Sequence, residues 1–109
     1  MNKICTSLEQ SKKVIELGID VYTADMYWWY SGRRYYVESM DDDDFNKESD
    51  VPAWSLSALL GLIPERIPGT KLVIKWDGSY YIEGRDCLCD NAIDAAFEMV
   101  MWLKENGKI

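Results

Sequence analysis

Apolar positions along this chain switch between helical and strand spacing, and each switch marks an element boundary. Leu8, Val14, Ile15 and Leu17 form one stripe, with Lys12, Lys13 and Glu16 off it, which is the i, i+3, i+4, i+7 recurrence of an amphipathic helix. Ser7-Leu8-Glu9-Gln10 is a capping-box pattern, in which Ser7 accepts from the Gln10 backbone N–H and the Gln10 side chain reaches back. Gly18 stands where a left-handed residue closes a helix, with Ile19 placed to pack back on Val14. The pattern predicts a helix over 8–17. Residues 26–30 and 34–39 are rich in strand formers, and Ser31-Gly32-Arg33 supplies a turn glycine between them, so they predict a hairpin. Residues 41–50 read as a loop. Trp54, Leu56, Leu59, Leu60 and Ile63 return to near-helical spacing, with Ser55 as N-cap and Pro64 as a stop, which predicts a short second helix.

A second hairpin is expected over 72–83 around Asp77-Gly78. A two-residue loop would set Ile74 opposite Tyr81 and Leu72 opposite Glu83, mixing apolar and charged groups on one face. A three-residue loop ending in a left-handed Gly78 pairs Leu72 with Ile82 and Ile74 with Tyr80, and keeps the faces consistent. A one-residue slip inverts every side chain, so the odd loop with a glycine bulge is the expectation. Asp90 or Asn91 then caps a final helix running to about 106 and ending at Gly107. Ile93, Ala96, Phe97, Val100 and Leu103 follow the helical pattern, and Met99, Met101 and Trp102 widen it, so burial on more than one side is expected. The order is α-ββ-α-ββ-α: an α+β domain whose two hairpins make an antiparallel sheet with helices packed on one face.

The length of 109 residues fits one domain over 1–109. A chain of this size buries roughly 65% of its unfolded surface, enough for a core without staples. No apolar stretch reaches the roughly 18 residues that a membrane span needs. Residues 1–10 hold one lysine and no apolar core segment, which argues against a signal peptide and for a cytoplasmic protein. The three cysteines, Cys5, Cys87 and Cys89, are an odd set and are expected as reduced thiols. The net charge is −7, and residues 41–50 carry −5 of it through six acids against one lysine. The body is therefore nearly neutral with one acidic loop, whose field opposes direct nucleic-acid binding.

Seven of the fourteen aromatic residues fall within fifteen positions: Tyr22, Tyr27, Trp28, Trp29, Tyr30, Tyr35 and Tyr36. Alternation puts Met26, Trp28 and Tyr30 on one face of the first strand, and Tyr27 and Trp29 on the other. With rings on both faces, either both are covered by the rest of the chain or one is a contact patch for another protein or a second copy. Stacking on sugars or bases is a further reading. Arg33 and Arg34 at the turn add a cation–π or anion-clamping group. The candidate contact residues are Trp28, Trp29, Tyr30, Arg33, Arg34 and Tyr35, and self-association through them or through the apolar last helix is expected.

The acidic run Asp41 to Asp44 fails as a calcium loop. From Asp41, Asn46 falls at the glycine position and Pro52 at the bidentate glutamate position; from Asp42 these become Lys47 and Ala53. A solvated loop is the plain reading, and a phosphate mimic competing for a DNA-binding protein is the sharper one, although its acids are concentrated rather than spread along a face. Asp86-Cys87-Leu88-Cys89-Asp90 offers thiols and carboxylates, but a structural zinc site wants C-x2-C spacing or histidine, and the chain has no histidine. That absence also removes Ser-His and Cys-His nucleophile pairs. Asp25, Glu38 and Glu83 near strand ends leave carboxylate hydrolysis open without requiring it. No P-loop, G-x-G-x-x-G or G-x-S-x-G occurs. No enzyme activity, cofactor or metal is expected.

Three stretches carry a resemblance: Thr23-Ala24-Asp25-Met26-Tyr27-Trp28, then 52–60 (Pro-Ala-Trp-Ser-Leu-Ser-Ala-Leu-Leu), and 90–96 continuing to Trp102-Leu103. With them the chain resembles a family of small proteins from gut bacteria and their phages or mobile elements that has no assigned activity. The resemblance implies an intracellular accessory protein and transfers no functional residue.

Overall fold

A computed structural model describes residues 3–40, 45–46, 49–64, 73–82 and 85–109, with the side chains of Trp76, Arg85, Asp86 and Cys87 set aside. The acidic run 41–44 and the positions Leu72 and Glu83 of the second hairpin lie outside the described residues, and with them the expected pairing of Leu72 with Ile82. The fold is α+β. In chain order the elements are α1 (Leu8–Glu16), a 3-10 turn (Val21–Thr23), β1 (Met26–Tyr30), β2 (Tyr35–Ser39), β3 (Val51–Ala53), α2 (Leu56–Gly61), β4 (Val73–Trp76), β5 (Ser79–Ile82), β6 (Arg85–Cys89) and α3 (Ala92–Glu105).

Local chemistry sets the helix starts. Ser7 and Gln10 form the complete capping box of α1. The Ser55 hydroxyl accepts from Ala58 N and donates to Asp25, whose carboxylate also takes Ser55 N. Asn91, rather than Asp90, caps α3 by accepting from Asp94 N at 2.8 Å. Asp94 in turn receives the Lys3 ammonium at 2.6 Å, the Gln10 amide at 2.8 Å and the Asn91 amide at 3.0 Å, tying the chain start and α1 to the head of α3. Partial burial alone would push the Asp94 carboxyl up, but the hydrogen bonds from Lys3, Gln10 and Asn91 and the Lys3 charge together hold it below 3.8.

The two hairpins belong to separate three-stranded antiparallel sheets, ordered β2-β1-β3 and β4-β5-β6. Each gains a strand that local sequence signals do not announce. β3 has three residues and contains Pro52, and it pairs with β1 from across the 41–50 segment. β6 occupies the acid-and-thiol stretch before α3 and joins β5 through an irregular register between Tyr80 and Ile82. α3 packs on the β4-β5-β6 sheet and on α2, whereas α1 lies against β3. The core between them holds Val14, Trp54, Leu59, Ile63, Ile82 and the buried face of α3, where Ala95, Ala96, Phe97, Met99, Val100, Met101 and Leu103 are all buried. As expected, α3 is buried on more than one side.

The expected three-residue loop in the second hairpin is corrected. Trp76 pairs with Ser79, Ile74 with Tyr81 and Val73 with Ile82, around a two-residue Asp77-Gly78 turn. Both turn residues are left-handed, Asp77 at φ 50° and Gly78 at φ 80°, and that turn matches the natural twist of paired strands. The opposite face of this register, which the expectation from sequence did not weigh, is the one that faces the core. Val73, Tyr80 and Ile82 meet the core, while Lys75 on the same face lays its ammonium 5.7 Å from the Tyr80 ring centre and keeps its charge near the rim.

Cys5 is 2% exposed. Burial pushes its thiol up, the Asp25 charge adds to this and Lys3 partly offsets it, so the thiol moves from 9.0 to about 11. A raised thiol favours the neutral folded form, so the stabilisation is complete below pH 9 and is lost as pH rises from 9 towards 11. Denaturant unfolding at pH 8 and pH 11 should show the wild type losing on the order of 2 kcal/mol more than Cys5→Ala across that interval. Equal losses would place Cys5 outside the pH response.

Candidate functional site

The β1-β2 hairpin divides into an anchored base and an open tip. Pairing runs Met26 with Ser39, Tyr27 with Glu38, Trp28 with Val37, Trp29 with Tyr36 and Tyr30 with Tyr35. At the base, both aromatic faces are covered. Trp28 is half-buried and donates from Nε1 to the Thr6 carbonyl at 3.0 Å. On the opposite face Tyr27 is 2% exposed, meets the Phe45 ring edge-on at 5.3 Å and donates its hydroxyl to Glu38 Oε2 at 3.2 Å.

Towards the tip the cover ends. Tyr30, Tyr35 and Tyr36 are 55%, 41% and 37% exposed. Cross-strand stacking fixes them: Trp29 on Tyr36 at 5.0 Å and 26°, Tyr30 on Tyr35 at 5.0 Å and 47°. Arg34 lies over the Tyr36 ring at 4.7 Å and donates from Nε to its hydroxyl at 2.9 Å, so the guanidinium is positioned before any partner arrives. The turn is closed by Ser31, whose backbone N–H and hydroxyl both donate to the Arg34 carbonyl, at 3.0 and 3.2 Å. Gly32 at φ 96° supplies the left-handed residue that the turn requires. Arg33 beside it is exposed. Tyr22, the most exposed aromatic residue of the block, stands apart on the 3-10 turn.

A cleft of about 360 Å³ opens on the Tyr27 and Trp29 face, lined by Tyr27, Trp29, Tyr30, Glu38, Asn46 and Asp50. Its volume is within the range of small-ligand sites. Aromatic walls with two carboxylates suit a cationic or polar side chain better than an anion. Asp50 Oδ2 accepts from Asn46 N at 2.8 Å, which ties these two lining residues to each other. The Trp29 Nε1–H is sealed from solvent and, among the described residues, has no hydrogen-bond partner. An orphaned buried donor costs about 1–3 kcal/mol, so native chains rarely keep one without a reason.

Of the six residues singled out from sequence, Trp29, Tyr30, Arg34 and Tyr35 come together at the tip, Arg33 extends from the turn, and Trp28 belongs to the base. Tyr36 and Glu38 were missed as contributors. The cross-strand register would have found them, because it sets Tyr36 opposite Trp29 and Glu38 opposite Tyr27. Asn46 and Asp50 carry no sequence signal, since the fold alone brings them to the cleft. Among the carboxylates considered for hydrolysis, Asp25 is engaged in capping α2, Glu38 stands at the cleft and Glu83 lies outside the described residues. Among the described residues no helix is long and apolar enough to cross a membrane, and no group of three or more metal-ligating side chains occurs. Set against protein families, curated proteins and solved structures, the chain matches none.

Proposed function

We propose that this chain is a small cytoplasmic accessory protein that works by binding another protein through the tip of its first hairpin. The observation that carries the reading is the exposed, pre-stacked set of Tyr30, Tyr35 and Tyr36 with Arg34 held over one ring, bordering the cleft on the Tyr27 and Trp29 face. Tyrosine, tryptophan and arginine are the residue types that dominate protein contact surfaces, and rings already fixed by neighbours lose little entropy on docking. A basic partner side chain would meet Glu38 and Asp50 at the cleft. Trp29→Ala should leave the circular dichroism spectrum unchanged and abolish capture of a partner from native lysate, with Lys12→Ala on the exposed face of α1 as the control. Unchanged capture by the folded Trp29→Ala protein would remove this surface from consideration.

A further inference from the structure

We infer that the partner for this hairpin is a second copy of the same chain, joined edge to edge through β2 in antiparallel pairing centred on Val37. The inference rests on the hairpin being the docking surface and adds which molecule docks.

The backbone identifies the open edge. Met40 N donates to Asp25 O at 2.9 Å and Ser31 N to Arg34 O at 3.0 Å, bracketing the β1-β2 ladder. Antiparallel pairs alternate between bonded and non-bonded, so Tyr36 and Glu38 bond inward to β1. Tyr35, Val37 and Ser39 therefore aim their N–H and C=O groups away from β1, and among the described residues β2 is the last strand on that side of its sheet. The other edges are guarded in known ways. β3 is short, contains Pro52 and packs against α1; β4 presents an exposed Lys75; β6 has an irregular register and lies under α3. β2 has regular register, no proline, no lysine and exposure on both faces. Such a strand is a template for another strand.

Charge placement selects the occupant. Pairing about Val37 sets Tyr35 against Ser39 of the second copy, Val37 against Val37, and Tyr36 against Glu38 of the second copy. All outward groups of the strand then find partners. Arg34 already lies over the Tyr36 ring, so its guanidinium comes diagonally to Glu38 of the second copy, at the rim of that copy's cleft. The two-fold axis repeats the pair. Within one chain Arg34 and Glu38 are about 13 Å apart along the strand and do not serve each other. A strand with its cation and its anion on either side of its centre is complementary to itself when antiparallel, as a two-fold interface requires.

Sedimentation equilibrium from about 1 µM to about 1 mM tests the inference, over the range where edge contacts of small area assemble. The wild type should rise from the 12.6 kDa chain mass to twice that value. Val37→Pro removes an outward N–H and no hydrogen bond of the β1-β2 ladder, so it should fold and stay monomeric. Arg34→Glu and Glu38→Arg should each be monomeric alone, yet dimerise when mixed, because each then meets its opposite; this arm leaves the backbone untouched if Val37→Pro misfolds. A wild type monomeric throughout, a folded Val37→Pro variant as dimeric as wild type, or charge variants that dimerise alone as well as wild type would each overturn the inference. A monomeric wild type that still loses capture of another protein on Trp29→Ala would reject self-pairing and leave the hairpin as a docking surface.

Discussion

Trp54→Ala is expected to remove about 3–5 kcal/mol of folding stability, against a total of roughly 5–15 for a domain of this kind. Trp54 is fully buried at the junction of β3 and α2, within the same core cluster as Leu59, Ile63 and the inner face of α3. Its ring also fastens the 3-10 turn, since Nε1 donates to Thr23 Oγ1 at 2.9 Å. Truncation leaves a cavity bordered by two helices and a strand, which cannot all collapse inward together. The measurement is the urea midpoint, which should fall steeply. A loss under about 1 kcal/mol would show that the core repacks around the vacancy.

Thr6→Val should cost about 2–4 kcal/mol although it changes almost no volume, because it strands buried polar partners. Thr6 is a hub of the anchored region. Its N–H donates to the Trp54 carbonyl at 2.8 Å, its carbonyl accepts from Trp28 Nε1 at 3.0 Å, and its hydroxyl accepts from Trp54 N at 3.0 Å. The same hydroxyl pairs with the buried Ser11 hydroxyl at 2.7 Å. Valine fills the space but leaves the Trp54 N–H and the Ser11 hydroxyl without that oxygen. Adding Ser11→Ala to Thr6→Val should recover part of the loss by deleting one orphan, a non-additivity read from the double-mutant cycle. Strict additivity would mean that the two hydroxyls act independently.

These two sites explain why the hairpin tip stays free. β1 is held at its base by Thr6 through Trp28 and by Phe45 through Tyr27, and the sheet meets the helices mainly where β3 packs on α1. Nothing among the described residues extends that cover to Tyr30, Tyr35 and Tyr36, so their rings stack on one another and on Trp29.

What could be read in advance was what the chain decides locally. The caps Ser7, Ser55 and Asn91 act within three residues of themselves, and the apolar stripe of α3 is long enough to average out noise. What could not be read depended on distant partners. β3 is recognisable only beside β1, because three residues with a proline carry no strand period. β6 is hidden in a stretch whose aspartate and cysteines resemble a ligand set more than a strand. The second hairpin misled for another reason: facial consistency argued for one register, while the observed turn, with Asp77 and Gly78 both left-handed, matches the strand twist in another. The rings of the candidate site were visible from composition; its cleft was not, because Asn46 and Asp50 reach it only through the fold.

Site-resolved hydroxyl-radical footprinting of the protein alone and in its assembled state tests the central claim most directly. Protection should concentrate on Trp29, Tyr30, Tyr35 and Tyr36, with Tyr22 and Leu88, which are exposed elsewhere, as reactive as before. Unaltered labelling of the hairpin rings in a fully assembled sample, with protection appearing at Tyr22 or Leu88 instead, would contradict it.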